Sequence, residues 1–356
     1  MKLRVLIIAV ALIGCGRKQE PPAATTGSQT AESETPKMRP SQEPQPQLPA
    51  VELPADPKRP DKIALGHALF FDKRLSANHD RACYSCHMNE DGNGGHDPIA
   101  IGSGNKKQTR HAPMIWNLGY LKGAFYWDGR AKTLEDNAKA AWGGGNMGVG
   151  SDNLDKKAAE IAAIPGYKKL FDAAGLTGKS DDVAAAIAEY ERTLTCKDTA
   201  YDKFAAGDKT ALTERQQKGL DVFLGKGQCL TCHAPPYFST AMAVEGGVYF
   251  NVGIGTEVAE DQADVGRMKV TNQPADWGAF KPPSLRNVTK SPPYFHNGSV
   301  ATLADAVKLM ASGGIKNKNL NPALADRGLT DAERADLIAF LGALDCPGKL
   351  DVPTLP

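Results

Sequence analysis

The sequence carries almost no excess charge of either sign: 42 Lys and Arg face 41 Asp and Glu, a formal net charge of +1. That balance argues against a strongly basic nucleic-acid binder and against an acidic solvating tail. No stretch approaches the ~18 consecutive apolar residues of a membrane-crossing helix. Aromatic residues make up only 7% of the chain, still adequate for a globular interior. Glycine and proline are plentiful, 36 and 24 of 356 residues, but follow no collagen period, so long loops are expected. The length suits about two domains, each able to bury a core.

The start of the chain is unlike the rest. A basic Met1-Lys2-Leu3-Arg4 precedes an apolar run from Val5 to Gly14. Such a run rises only ~15 Å as a helix, about half a bilayer, and reads as an export signal over residues 1–14. Leu12-Ile13-Gly14-Cys15 resembles the lipobox of bacterial lipoproteins, in which the cysteine is acylated. That resemblance implies a protein held on the periplasmic face of the envelope through a lipid on Cys15 and in no other way. From Arg17 to Pro60 there are ten prolines and no aromatic residue. A segment this poor in apolar side chains gains too little from burial to offset its ordering entropy, so 15–60 is expected to be a disordered tether.

Seven cysteines remain to be placed, one of them Cys15. Cys83-Tyr84-Ser85-Cys86-His87 and Cys229-Leu230-Thr231-Cys232-His233 are both CxxCH, the attachment signature of c-type haem. The spacing has a chemical reason. Two thiols must reach the two vinyl groups of one porphyrin, and the following histidine then falls under the iron. Two covalent haems are therefore expected, with His87 and His233 as proximal iron ligands. No nearby CxxC completes a four-ligand zinc site. Cys196 and Cys346 are left over; in an oxidising compartment they form either a disulfide or two separately buried thiols.

The second half of the chain echoes the first. Tyr126-Trp127-Asp128-Gly129 and Thr133-Leu134 match Phe295-His296-Asn297-Gly298 and Thr302-Leu303 at an offset of 169 residues. A Pro-x-x-x-Asn segment precedes each, Pro113 to Asn117 and Pro283 to Asn287. Two related domains are expected, at 61–205 and 206–346, with 347–356 as a tail. The local pattern is helical. Asp181 or Asp182 can cap a helix over 184–194, whose Ile187, Tyr190, Glu191 and Leu194 form a partly apolar stripe. Thr213 with Gln216 and Thr330 with Glu333 form capping boxes, and Thr302 with Asp305 opens a helix carrying Met310. Strand signal is confined to short pieces such as Val248–Val252. The expected fold is mostly α: two related c-type cytochrome domains with long loops.

These residues resemble the bacterial di-haem cytochrome c peroxidase and MauG family over about 61–346. The most specific pieces are Phe125-Tyr126-Trp127-Asp128-Gly129-Arg130, Gly266-Arg267, Ala279-Phe280-Lys281, Ser284-Leu285-Arg286-Asn287 and Pro293-Tyr294-Phe295-His296-Asn297-Gly298. The resemblance implies a periplasmic enzyme in which one haem, at His87, reacts with hydrogen peroxide and the other, at His233, relays electrons. Met310 falls where the peroxidases carry the sulfur ligand of the relay haem, and a thioether favours ferrous iron. In MauG that position is tyrosine. Trp127 matches the tryptophan between the haems. Arg130 and Arg286 are candidates to pair the haem propionates.

Several positions depart from the family. Its distal histidine falls at Ser103, a poor iron ligand, so the His87 haem is expected to be open on that side unless His96 or His111 closes it. The family's glutamine aligns with Asn137 and its catalytic glutamate with Asn146-Met147. An asparagine cannot act as a general base; Glu135, Asp136 or a water would have to substitute. A calcium ligand aligns with His111, an unsuitable donor for a hard cation, although carbonyls near Ser291 and Pro293 could contribute to such a site. Three readings follow. The first is a peroxidase fed by a small cytochrome c or cupredoxin. The second is a MauG-like enzyme oxidising tryptophan or tyrosine side chains of a secreted partner protein. The third is a non-enzymatic di-haem electron carrier.

Overall fold

In the computed structural model, which describes residues 39–356, the chain is all-α and free of sheet. The export signal, Cys15 and the first part of the tether lie outside the described residues. The expected strand over 248–252 is a single bridge: Phe250 and Phe280 exchange both backbone hydrogen bonds, at 2.9 and 3.0 Å, and the pairing stops there. No helix among the described residues is long and apolar enough to cross a membrane.

One buried cluster gathers α1 (Arg59–Phe71), α2 (Leu134–Gly143), α3 (Leu154–Ala162), α4 (Pro165–Ala174) and α5 (Ser180–Thr193) around Leu65, Phe70, Trp142, Tyr167 and Ile187. A second gathers α6 (Ala200–Ala205) and α7 (Glu214–Leu224) with α9 (Leu303–Ala311) and α10 (Asp331–Gly342) around Tyr201, Phe223, Phe238 and Phe340. The one-turn α8 (Met268–Thr271) stands apart from both. Each cluster is built on a crossing that only glycine permits. A Cβ at Gly66 of α1 would stand 1.8 Å from the Ala186 carbonyl oxygen of α5. One at Gly219 of α7 would stand 2.0 Å from that of Asp336 in α10. Close backbone approach lets the flanking side chains interdigitate at interior density.

The backbone repeats along with the sequence. The bridge Phe125↔Ala131 is reproduced by Tyr294↔Val300, both at the 169-residue offset. Tyr126 and Phe295 both take positive φ, 64° and 70°, a conformation that costs a bulky side chain energy. Asn117 and Asn287 do likewise at 66° and 67°, and each opens a single 3₁₀ turn. The threonine caps fall where the sequence puts them. Thr213, Thr302 and Thr330 accept from the N–H groups of Gln216, Asp305 and Glu333 at 3.3, 3.1 and 3.2 Å. At α5 the start differs: the helix begins at Ser180, and the Asp182 carboxylate turns back to accept from Lys179 and Thr177. Cys196 and Cys346 form a disulfide with a Cα–Cα distance of 5.1 Å, closing a separation of 150 residues and tying the chain end to the loop after α5.

Residues 39–58 differ from the expectation of a disordered tether. They run extended along the body and are held at intervals. The Ser41 N–H donates to the Asp221 carboxylate at 2.7 Å, Tyr201 O–H to the Pro46 carbonyl at 3.2 Å, and Tyr120 O–H to that of Pro49 at 2.7 Å. Leu48 and Val51 pack against the apolar cluster around Tyr120 and Leu121. The prolines that argued for disorder also reduce the entropy lost on docking, because their φ is already restricted. Buried tyrosine hydroxyls then supply partners for their carbonyls.

Candidate functional site

Each CxxCH folds as one 3₁₀ turn, over Cys83–Ser85 and Cys229–Thr231. The turn brings its two cysteines and the following histidine to one cavity wall. All four thiols are unpaired, whereas Cys196 and Cys346 are bonded. The two histidines are oriented alike. Nδ1–H of His87 donates to the Asn93 carbonyl at 3.2 Å, and that of His233 to the carbonyls of Phe238 and Pro283 at 3.2 and 3.1 Å. A carbonyl can only accept, so the proton sits on Nδ1 and Nε2 keeps its lone pair, the tautomer an iron ligand needs. Burial pushes both imidazoles down to about 4, so each is neutral and ready to coordinate.

Among the described residues no three His, Cys, Asp or Glu side chains converge as a protein-only metal site. What each cavity offers is two thiols, one neutral imidazole and a largely apolar lining, which fits a covalently attached haem. The His233 cavity is walled by Phe250, Leu303, Val307, Met310 and Leu341. Met310 therefore shares a cavity with His233, as its place on α9 predicts. The His87 cavity is walled by Trp116, Trp142, Met147, Ile187 and Arg130, with Asn137 and Asn146.

Trp127, Lys281 and Pro283 line both cavities. The Trp127 indole N–H donates to the His111 carbonyl at 2.9 Å, and the His111 N–H donates to the His296 carbonyl at 2.7 Å. The His296 ring lies flat on Phe280, with centroids 3.7 Å apart, and edge-on to Trp127 at 6.5 Å. The second of these bonds, main chain to main chain, joins the two halves of the repeat beside the tryptophan. Its own carbonyl accepts from the Lys281 N–H at 2.8 Å.

The distal residues sort less evenly. Ser103 is buried, but its hydroxyl donates to Asp80 at 2.7 Å and accepts from the Asn78 amide at 3.2 Å; it is not part of the cavity wall. His96 is 74% exposed and paired with Asp91. His111 does line the His87 cavity, and its Nδ1–H is given to the Asp97 carbonyl at 2.9 Å, which leaves Nε2 with its lone pair. Asn137 faces the cavity and accepts the Tyr126 hydroxyl on its backbone carbonyl at 2.9 Å. Glu135 does not line the cavity: it is bound to Arg192 at 2.6 Å.

The arginines also divide. Arg130 lines the His87 cavity, pairs with Asp128 and stacks 3.5 Å over the Tyr126 ring. Arg286 is fully buried and gives all five of its N–H donors to protein: one to Pro236 from Nε, two from Nη1 to Cys196 O and Asp202, and two from Nη2 to Asp202 and Pro236. Nothing remains on it for a propionate.

Among the charged residues absent from the expected site that stand in the cavities, two have side chains with neither a hydrogen bond nor an ion pair among the described residues. Lys281 has no acidic partner among the described residues, and burial pushes its ammonium down to about 8. It is the better candidate for a propionate partner. Glu191 lines the His87 cavity with its Oε2 buried and without a hydrogen-bond partner. The signal for Glu191 was visible as a carboxylate inside an apolar helical stripe, where an unpaired charge is rare. For Lys281 no sequence signal exists beyond its motif.

The family model described as di-haem cytochrome c peroxidase matches residues 60–210. The cytochrome c peroxidase IdrP1 of Denitromonas iodatirespirans is 34% identical over 87% of this chain and 89% of its own. The methylamine utilization protein MauG of Methylorubrum extorquens is 32% identical over 85% and 83%. Among solved structures, a MauG-like protein associated with microbial copper homeostasis superposes with a TM-score of 0.75 at 29% identity, covering 90% of this chain and 97% of that one.

Proposed function

The chain belongs to the bacterial di-haem cytochrome c peroxidase/MauG family and carries two covalently bound c-type haems, and from that premise we propose a periplasmic peroxidase that draws electrons from a small soluble donor. The reaction is H₂O₂ with two electrons and two protons giving two waters. Bound haem supplies the iron at which peroxide is reduced and the carrier that accepts donor electrons. The chain supplies everything else. Cys83, Cys86 and His87 hold one haem and Cys229, Cys232 and His233 the other, in two related domains whose boundary falls before α6, since Tyr201 and Phe204 pack with the second cluster rather than with 61–199. The doubled bridge, caps and positive-φ positions support that division. Met310 is the sulfur ligand on the His233 side, Trp127 the aromatic bridge in the shared wall, and Lys281 the cation for a propionate. Export and attachment through Cys15 complete the reading, the docked residues 39–58 serving as the root of the tether.

The single observation that carries this reading is the pair of matched thiol–thiol–imidazole cavities with one tryptophan in the wall of both. Its test is oxidation of a reduced small cytochrome c by peroxide, using the holoenzyme as isolated. Because Ser103 is tied to Asp80 outside the cavity and His96 is exposed on Asp91, turnover should begin without prior reduction unless His111, the one further imidazole in the wall, closes the site. A lag abolished only by pre-reduction would show a closed His87 site, and no turnover with any small donor would remove the peroxidase assignment.

Met310 has its own prediction. In Met310→Ala the sulfur-to-iron charge-transfer band of the ferric protein disappears while both haems stay attached; an unchanged band would exclude it as a ligand. The MauG-like reading, oxidation of aromatic side chains on a partner protein, draws on the asparagine and methionine at 146–147 and on the resemblance to MauG. Met310 in place of tyrosine weighs against it.

A further inference from the structure

We propose that Glu191 is the proton-transferring carboxyl of the His87 cavity, doing the work for which Asn137, Asn146 and Met147 have no suitable group. The inference rests on the peroxidase reading and extends it. Glu191 is held on α5, one turn beyond Ile187, and both residues face the cavity that holds Cys83, Cys86 and His87. It is 7% exposed, and its Oε2 meets no donor. Buried carboxyls in proteins are otherwise paired or hydrogen-bonded, because leaving one unsatisfied forfeits the solvation it had in water. The residue lines the reaction cavity and no donor among the described residues holds its carboxyl, so its proton is free to pass to what enters.

The surroundings keep it in the acid form. Burial raises its pKa to about 8; Arg192 on the same helix pulls the other way, and Glu135 on α2 adds to the rise. Arg192 is itself engaged by Glu135 at 2.6 Å and by Glu189 at 3.5 Å, so its charge is largely answered elsewhere. Cys83, bonded to haem through its sulfur, has no proton to lose; Tyr126 in the cavity wall and Tyr190 next along α5 are raised by burial and stay neutral near pH 7. The cations on the cavity wall are Arg81, which donates to the Gly102 carbonyl, Arg110, answered by Asp128 and Asp264, Arg130, answered by Asp128, Arg286, answered by Asp202, and Lys281. At neutral pH Glu191 therefore holds a proton that it can release.

The step is balanced as follows. Cleavage of the O–O bond sends one oxygen out as water, for which it needs a proton. The other oxygen takes up two electrons and a second proton, drawn from solvent, and leaves as the second water. Glu191 gives the first proton and is left as carboxylate. The two electrons come from the small donor, and solvent returns the proton to Glu191. The acid form is present below about pH 8 and is lost as pH rises through that value.

The test uses the holoenzyme and three variants: Glu191→Gln, Glu191→Ala and Glu191→Asp. The first readout is independent of turnover. The infrared carbonyl band of a protonated carboxyl in the resting enzyme should vanish in Glu191→Gln and titrate near pH 8 in the parent. The second is the rate of the peroxide step under single-turnover conditions. Glu191→Gln and Glu191→Ala should slow it by about 100-fold or more, the usual scale of general acid catalysis. They should also lose the fall in rate above pH 8 while keeping two haems per chain and the Met310 charge-transfer band. Glu191→Asp should restore part of the rate and a pH limb. A carboxyl band that survives in Glu191→Gln overturns the proposal, as does a peroxide step within about threefold of the parent. Failure of the parent enzyme to turn over peroxide would instead overturn the function on which the proposal rests.

Discussion

Replacing Arg286 by leucine should destabilise the holoprotein by about 3–5 kcal/mol, the range for removing one partner of a buried ion pair. The side chain is fully buried, and its five donors satisfy Asp202, Cys196 O and Pro236 O at 2.7 to 3.2 Å. Leucine would bury comparable apolar surface but leave two carbonyls and a carboxylate short of partners. Burial opposes ionisation of Asp202, yet the Arg286 guanidinium, with Thr199, holds its carboxyl below the usual value of 3.8. A lowered folded pKa means stability that is present above the unfolded pKa and lost as pH falls through the folded value. Chemical denaturation of the parent should therefore show acid destabilisation below about pH 4 that is reduced in Arg286→Leu. Adding Asp202→Asn should recover part of the loss, because the orphaned charge goes with it. If Arg286 instead belonged to a propionate, the variant would lose haem-edge order rather than fold stability, and a loss below about 1 kcal/mol would show that.

How much of this was legible depends on how local each determinant is. The CxxCH turns, the threonine caps and the repeat at 169 residues are fixed by neighbours a few positions away, and they appear where the pattern puts them. The Cys196–Cys346 bond was legible as one of two alternatives, because elimination left that pair without another partner. Arg286 was placed on a propionate because its motif offered only its charge; Asp202 lies 84 residues away in sequence and could not be seen. Glu135 was offered as the substitute carboxylate, and Glu191 was read only as part of a stripe, for a similar reason. Glu135 lies beside the aligned position, whereas the cavity is approached from α5, and only packing shows which carboxylate is inside. Residues 39–58 were misjudged by composition, which measures apolar content and is blind to tyrosine hydroxyls that meet proline carbonyls. Gly66 and Gly219 carried no signal, since a glycine inside a helical pattern is read as a weakness until the neighbouring backbone is known.

Trp127→Leu should separate electron transfer from peroxide chemistry more sharply than any other single change. The indole lines both haem cavities, so its replacement by an aliphatic side chain keeps the wall but removes the only aromatic ring common to the two linings. We expect steady-state oxidation of the reduced donor to fall on the order of 100-fold, about 2.7 kcal/mol at the barrier, with haem content and the Met310 band unchanged. The peroxide step in a single turnover should change far less, because Glu191 and His87 are untouched. A packing role predicts otherwise. Loss of the N–H donor to His111 O, 2.9 Å in the parent, would then lower stability by about 1–3 kcal/mol and leave turnover of the folded enzyme intact. Trp127→Phe decides between the two. It discards the same hydrogen bond as leucine but keeps a ring in the shared wall. If the bridge is electronic, phenylalanine restores most of the lost turnover while matching leucine in stability. If it is structural, the two variants lose stability alike and neither loses rate.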